Sequence, residues 1–431
     1  MSTSKWKPYP EYQVTPIEWN TRIPKKWKTV PLRYLCKIKT GEKDLIDRNP
    51  NGEYPFFVRS PKVERISTYS YDGEGILTAG DGNIGDIFHY VNGKFDYHQR
   101  VYLFHEFDGI LARFLYYFLK ANLKKVVLAM SAKSTVDSIR LPMLSSFPVS
   151  MPSINEQRLI TNFIQIKEEK ITSLIQNLFT ILESLQEKRS GLITQAVTKG
   201  LNPNVEMKDS GIDWIGKVPE HWDIMKLKYL CETTKGKAFK SFEFSDSGSK
   251  IIRASDLKNN TVKFGDVYIS EETASENINV KLHQGDILVS TVGSKPEVRN
   301  SAVGQVAKLP KELEGSFLNQ NTVRLEAFES QISPEYLFNL LRNDLVRRFF
   351  DIHAHGTANQ ASLSLADILS FSFGMPPLIE QNEICKYISQ NIQRIDSMSA
   401  SINQQIEALN EYRIAMISAA VTGKIDIRES V

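Results

Sequence analysis

The clearest periodicity in the chain is a set of apolar residues spaced seven apart, Ile164, Ile171, Leu178, Leu185 and Leu192, flanked by Leu174, Ile175, Ile181 and Leu182. Such a repeat predicts one continuous amphipathic helix whose seam faces another helix. The same spacing returns 224 residues later as Ile388, Ile395, Ile402, Leu409 and Met416, with Ile392, Met398 and Ile406 on the same side. Ser153 followed by Glu156, and Pro376-Pro377 followed by Glu380, mark the helix starts; Gly200 and Gly423 mark the stops. Each helix then spans about 45 residues, roughly 70 Å at 1.5 Å per residue. Helices lying on a local core usually run about 10 to 14 residues, so a seam this long predicts a coiled coil between the two copies. Packed antiparallel, the copies form a rod with a head at each end.

The helices belong to a larger duplication. MPSINEQRLI (151–160) returns as MPPLIEQNEI (375–384), and AVT at 196–198 returns at 420–422. At an offset of 195, EWNTRIPKKWKTVPLRYLCKIKTG (18–41) matches DWIGKVPEHWDIMKLKYLCETTKG (213–236). Residues 202–217 also correspond to residues 7–22, so the C-terminal TGKIDIRES is expected near residues 1–10 and the order of segments closes on itself. The expected layout is an N-terminal segment (1–22), a first head (23–150), a first helix (151–200) and a linker (201–217). A second head (218–374), a second helix (375–422) and a tail (423–431) complete it. This pseudo-two-fold tandem repeat is a module copied once, not a solenoid.

Both heads read as α+β. Short β-like runs such as GILTAG, DIFHYV, RVYLF, GDILVST and NTVRLEAF alternate with Gly, Asn and Asp turns. One helical stretch closes each head, ARFLYYFLKANLKKVVLAM (112–130) and SPEYLFNLLRNDLVRRFF (333–350). GDGNIG (80–85) satisfies GxGxxG formally, but DIFHYV follows with strand composition where a dinucleotide site needs a helix start, so a turn is predicted.

Composition adds less. The chain has 431 residues, 41% hydrophobic and 24% charged, with a formal net charge of +3. That charge is too weak to announce a nucleic-acid partner alone. Regionally, 23–150 holds 19 basic against 13 acidic residues, a net of +6, whereas 218–374 holds 18 against 20, a net of −2. Lysines cluster where each head begins, Lys37, Lys39 and Lys43 in one and Lys235, Lys237 and Lys240 in the other. These are candidates for phosphate neutralisation; a solvated strand face has the same composition. Two polar loops stand at equivalent distances before the long helices, SAKST (131–135) and AHGTANQ (354–360). They offer Lys133, Ser134, Thr135, Thr357, Asn359 and Gln360 as candidate contacts to phosphates or base edges, though any exposed turn is similarly polar.

No catalytic motif emerges. A phosphate loop, a nucleophile elbow, a methyltransferase glycine motif and its Asn/Asp-Pro-Pro-aromatic loop are all missing from the sequence. Glu168-Glu169-Lys170 lies on the helix, where such charges are solvated flanks. His353 and His355 have no apparent third ligand, and Cys36, Cys231 and Cys385 show no CxxC spacing, so neither a metal nor a disulfide framework is expected. No run of about 18 apolar residues marks a membrane span, and the first residues lack the apolar core of a signal peptide; a cytoplasmic location is expected.

The IPxxW and VPxHW openings followed by Leu-x-Tyr-Leu-Cys, the GDGNIG turn, and the MPxxxEQ start of a long helix ending in AVT together resemble the specificity subunit of type I restriction-modification systems. The resemblance covers residues 8–427. It implies two target recognition domains, joined by two long antiparallel coiled-coil helices, each reading half of a split double-stranded DNA sequence. It implies two methyltransferase (modification) subunits bringing S-adenosylmethionine and two motor-nuclease (restriction) subunits bringing ATP and Mg, with no cofactor and no catalysis in this chain. A coiled-coil scaffold with two protein-binding heads competes with this reading, as does a methylation-only phage-defence system.

Overall fold

Two helices, Ile154–Lys199 and Leu378–Val421, carry the seven-residue seam. The computed structural model describes residues 6–82, 84–131, 138–263, 265–294, 301–356 and 360–428. Contacts divide the chain into a first unit, Met1–Phe179 with Ile402–Val431, and a second, Thr180–Ser401. In the first unit Ile164 and Ile171 share a core with Met416, Ile417 and Val421. In the second, Ile193, Ala196 and Val197 share a core with Ile384 and Ile388. Early residues of one helix thus meet late residues of the other, so the helices run antiparallel in each unit. Arg189 Nη1 donates to Asp396 Oδ1 across the pair at 2.6 Å.

Of the ten expected seam residues, Ile164, Ile171, Leu185, Ile388, Ile395, Ile402 and Met416 are buried, and Leu178, Leu192 and Leu409 are half-buried. Leu174, Ile181 and Met398, read as flanking the seam, are instead 51%, 46% and 53% exposed. A two-helix contact covers only the narrow a/d stripe, and these three lie beside it.

The helix ends explain the repeated phrases. Ser153 accepts from Gln157 N at 2.9 Å through its carbonyl and from Glu156 N at 3.4 Å through its hydroxyl. Gln157, buried, accepts from Leu111 N (2.8 Å) and donates to Pro152 O (3.1 Å). Its copy Gln381 accepts from Ser333 N (2.8 Å) and donates to the carbonyls of Gln331 and Pro376, both at 3.0 Å. Each glutamine satisfies backbone groups that burial would otherwise orphan, fastening the head's own helix to the start of the long one. Gly200 and Gly423 end the long helices at φ +72° and +73°. A Cβ on Gly423 would strike Pro24 and approach Trp27, and one on Gly200 would meet Trp222 and Glu380. Each Pro-x-x-Trp motif therefore closes over a helix end, the first half's over Leu378–Val421 and the second half's over Ile154–Lys199. Trp222 Nε1 donates to Glu380 Oε2 at 3.1 Å, whereas Glu156 takes the Tyr9 hydroxyl at 2.7 Å and leaves buried Trp27 Nε1 without a partner among the described residues. Asp426 N donates to Lys7 O at 2.8 Å, which brings the tail beside the N-terminal segment.

In the first unit one sheet holds, in order, Lys37–Thr40, Val101–His105, Tyr71–Ala79, Phe88–Tyr97, Tyr54–Phe57 and Glu64–Ile66. All pairings are antiparallel except Tyr54–Phe57 beside Phe88–Tyr97, with Phe57 opposite Tyr97. Successive residues point to opposite faces: Ile76 and Phe104 pack under the helix Ala112–Ser131, while Leu77 and Leu103 pack with Phe57 and Phe95 on the other side.

The second unit repeats this frame in different residues. Its six-stranded sheet runs Cys231–Lys235, Thr322–Ala327, Ile287–Ser290, Val306–Lys308, Thr261–Val262 and Leu257–Lys258. Ser249–Ile252 lies parallel to Phe317–Leu318, with Ile252 opposite Leu318, as Phe57 stands opposite Tyr97. Additional segments build a further small core around Ile269, Val280 and Leu313. The stretch 333–350, read as one helix, is two: Pro334–Leu341 and Asp344–His353, with Asn343 Oδ1 accepting from Leu345 N and Val346 N. An Asn that caps so well starts a new helix instead of continuing the old one. The repeated Leu-x-Tyr-Leu-Cys is also structural, since Cys36 and Cys231 are buried, their thiols pushed up to about 12 by burial, and face the carbonyls of Leu32 and Leu227.

Replacing Gln381 by Ala strands Ser333 N and two carbonyls, so it is expected to destabilise the second unit by about 1–3 kcal/mol. Hydrogen exchange checks this, with the Ser333 amide among the first to lose protection.

Candidate nucleic-acid interface

At the end of each sheet's inner strand, the chain that precedes the long helix returns. In the first unit Ile139 N donates to Gly80 O at 2.7 Å, and Ser138 bridges Asp81. In the second, Leu363 N donates to Thr291 O at 2.8 Å, and Val292–Gly293 pairs with Ala361–Ser362. In GDGNIG, Gly82 and Gly85 lie in the left-handed region, and the strand Phe88–Tyr97 follows where a dinucleotide site would need a helix. Residues flanking the two polar loops therefore converge on equivalent turns. Lys133, Ser134, Thr135, Thr357 and Asn359 lie outside the described residues; Gln360 is exposed.

Around the first turn, Arg59 Nη1 donates to Asp81 Oδ1 at 2.8 Å and Arg100 Nη1 donates to Asp81 Oδ2 at 3.0 Å. Burial alone would raise the Asp81 pKa, but the two guanidinium hydrogen bonds outweigh it and hold the carboxyl below its usual range. Arg59, Asp81, Gly82 and buried His98 line a shallow cavity of about 320 Å³. The His98–Arg100 turn is fixed: Gln99 N donates to Lys43 O at 2.8 Å, and Arg100 N to His98 Nδ1 at 3.0 Å.

Around the second turn, Arg253 lays Nε and Nη2 on the Asp256 carboxylate, both at 3.3 Å, and its backbone N donates to Asp256 Oδ2 at 2.9 Å. The turn Ala254–Asp256 packs against Val292–Gly293.

The lysines divide between these corners and other places. Lys43 is half-buried beside His98, and Lys237 bridges Asn319 in the matching position, its ammonium paired with Glu243 at 2.8 Å and set over the Phe239 ring. Lys240 lies over Phe242, and Lys235 is exposed at the end of its strand. Lys37 and Lys39 fall toward the other end of Lys37–Thr40, where Lys37 pairs with Glu106 and Lys39 lies 5.1 Å over the Tyr71 ring. Arg59, Arg100 and Arg253 escaped sequence reasoning. For the first two the bracing Asp81 is too distant in sequence to signal a pair; for Arg253 the Arg-x-x-Asp spacing was a visible signal.

No cluster of His, Cys, Asp or Glu that could hold a metal occurs among the described residues, and no described helix is long and apolar enough to cross a membrane.

Two units built on one sheet frame, each ending in a different polar corner and each packed on parts of both long helices, define a tandem two-domain protein of repeated design. A model of the type I restriction modification DNA specificity domain matches residues 24–183 and again 219–408, and the chain belongs to that family. The specificity subunit of the type I restriction enzyme EcoDI of Escherichia coli is 24% identical over 413 residues, covering 94% of this chain and 90% of the relative. The MjaVIII specificity subunit of Methanocaldococcus jannaschii is 24% identical over 426 residues, covering 94% and 95%. Among solved structures, a chain from a study of assembly and conformational transition of the type I R-M system aligns at TM-score 0.66 and 13% identity, covering 94% of this chain and 99% of that one. The HsdS subunit from Thermoanaerobacter tengcongensis aligns at 0.52 and 13%, covering 94% and 98%. This chain is a type I specificity subunit, and catalysis lies in other subunits.

Because Lys43 borders the loop corner whereas Lys37 is neutralised by Glu106 away from it, Lys43→Ala is expected to weaken DNA binding by the assembled complex. It should lower the salt dependence by about one phosphate contact. Lys37→Ala should leave both unchanged in a binding titration against salt.

Proposed function

We propose that each head reads one half of a split double-stranded DNA target, residues 23–150 the 5′ half-site and 218–374 the 3′ half-site. The antiparallel helices fix the gap between the halves and dock two modification subunits, with two restriction subunits joining the assembly. S-adenosylmethionine, ATP and Mg belong to those partners. The observation that carries this reading is the shared frame with unlike corners: matched strands and turns present Arg59, Asp81 and Arg100 in one head and Arg253 and Asp256 in the other. A duplicated frame with unlike corners is suited to reading two different sequences. The half-exposed Leu174, Ile181 and Met398 give the helices apolar surface beyond their mutual seam, as a docking role requires. The net −2 of residues 218–374 fits phosphate neutralisation shared with a partner subunit on that side.

The test is methylome sequencing of cells carrying this protein and its neighbouring methyltransferase, against a deletion of this chain. Loss of one bipartite adenine-methylation motif upon deletion is expected; an unchanged methylome together with no salt-sensitive DNA affinity of the reconstituted complex points to a protein scaffold instead. Inserting one heptad between 171 and 192, and its counterpart between 395 and 416, should lengthen the gap and leave both half-sites intact. Seven residues add roughly 10.5 Å of helix, about three base pairs at 3.4 Å each. An altered half-site in that variant's methylome would refute the spacer role.

A further inference from the structure

Both heads set a carboxylate-braced guanidinium at the same corner of the frame, yet assemble it from different residues. Arg59 stands two positions beyond Phe57, and Arg253 stands one beyond Ile252, its structural counterpart. The brace comes from the turn after Tyr71–Ala79 in the first head, as Asp81, and from the turn after Ser249–Ile252 in the second, as Asp256.

The two pairs on Asp81 do little for the fold, while the third ties Arg253 to an Asp256 carboxylate that is itself buried. The Arg59, Arg100 and Arg253 side chains are 36%, 59% and 43% exposed, and ion pairs that open to water contribute about 0–1 kcal/mol. What the carboxylates do is hold otherwise mobile side chains in one geometry, which removes ordering entropy from a later binding step. Arg59 and Arg100 each spend one Nη1 on Asp81, and Arg253 lies side-on to Asp256. Each guanidinium therefore keeps a pair of N–H donors for a ligand. A planar two-donor fork matches the N7 and O6 acceptors that guanine alone presents together in the major groove. A phosphate would be served as well by a mobile lysine, and would not need the bracing.

We propose that Arg59 and Arg100 read guanine in the first head's half-site and that Arg253 reads guanine in the second's, with Asp81 and Asp256 as positioning residues. The assignment rests on the two-headed reading above and adds to it the base and the residues.

The experiment uses the full chain reconstituted with its modification subunits. The wild-type methylation motif comes first: no bipartite motif overturns the two-headed reading, and a motif lacking guanine in either half overturns this assignment alone. Duplexes carrying 7-deazaguanine at each guanine in turn then remove N7 without disturbing base pairing. Wild-type affinity is expected to fall about tenfold at each read position, within what one bidentate contact supplies. Arg253→Ala should become indifferent to 7-deazaguanine in the second half-site while responding normally in the first; Arg59→Ala and Arg100→Ala should show the mirror image. Arg253→Gln, which keeps a polar side chain, should relax one position of the second half-site in the methylome. Asp81→Asn should blunt discrimination at both first-half guanines with the salt dependence unchanged, which a merely structural role would not do. Wild-type indifference to every 7-deazaguanine overturns the assignment. So does a uniform loss across all duplexes in the arginine variants with one fewer salt-dependent contact, since that is the behaviour of a phosphate ligand.

Discussion

Everything in this protein depends on an apolar seam too long for one helix to bury. Ile154–Lys199 has 46 residues and Leu378–Val421 has 44, several times what a local core covers. The two helices solve this in each unit by lying antiparallel, so Ile164 and Ile171 share a core with Met416 while Ile193 and Val197 share one with Ile384 and Ile388. Their ends need separate treatment, because burial there exposes no water to the terminal backbone groups. Gln157 and Gln381 tie the starts to backbone groups of the segments packed beside them, and Gly200 and Gly423 let Trp222 and Trp27 close over the stops. Each head is thereby fastened to both long helices, and the segments that share a unit come from distant parts of the chain.

That fastening separates two kinds of residue within the heads. The strands, the Leu-x-Tyr-Leu-Cys turn and the helix before the long one are committed to packing, with Ile76, Phe104, Phe114 and Phe118 in the first head and Val289, Leu325, Tyr336 and Leu337 in the second. The corner where the inner strand ends carries no comparable apolar load. Its guanidinium groups stay open to water and are tied by ion pairs instead of packing, so they are free to differ. The first corner holds two arginines on one aspartate, and the second holds one arginine on an aspartate three residues away. Specificity can change there without changing the frame.

The two heads also differ in how they carry charge. Residues 23–150 are net positive, and residues 218–374 are slightly acidic. In the second head the Lys237 ammonium is drawn to Glu243, whose carboxyl is held below its usual range first by the Lys237 hydrogen bond and then by the Lys240 backbone amide. A cation committed inside the head is less available to a polyanion, so its binding leans more on shape and on its few fixed donors.

The sequence by itself determined the tandem organisation, the two long helices, most of the seam and the α+β character of the heads, because periodicity and self-similarity are properties of the chain read along its length. It also placed the helix ends, since capping residues act on neighbours within a turn or two. What it left open was everything set by residues distant in sequence. Two heads whose middles share no obvious pattern have the same order over the first four strands of their sheets and a like parallel pairing, of Phe57 with Tyr97 in the six-stranded sheet of one and of Ile252 with Leu318 in a separate four-stranded sheet of the other. Composition could not sort the lysines, and only the fold put Lys43 at the loop corner and Lys37 against Glu106. Arg59, Asp81 and Arg100 are scattered over 42 residues and meet only because three strand ends converge on one turn. Ion pairs of that kind follow from tertiary geometry, and no local pattern encodes them.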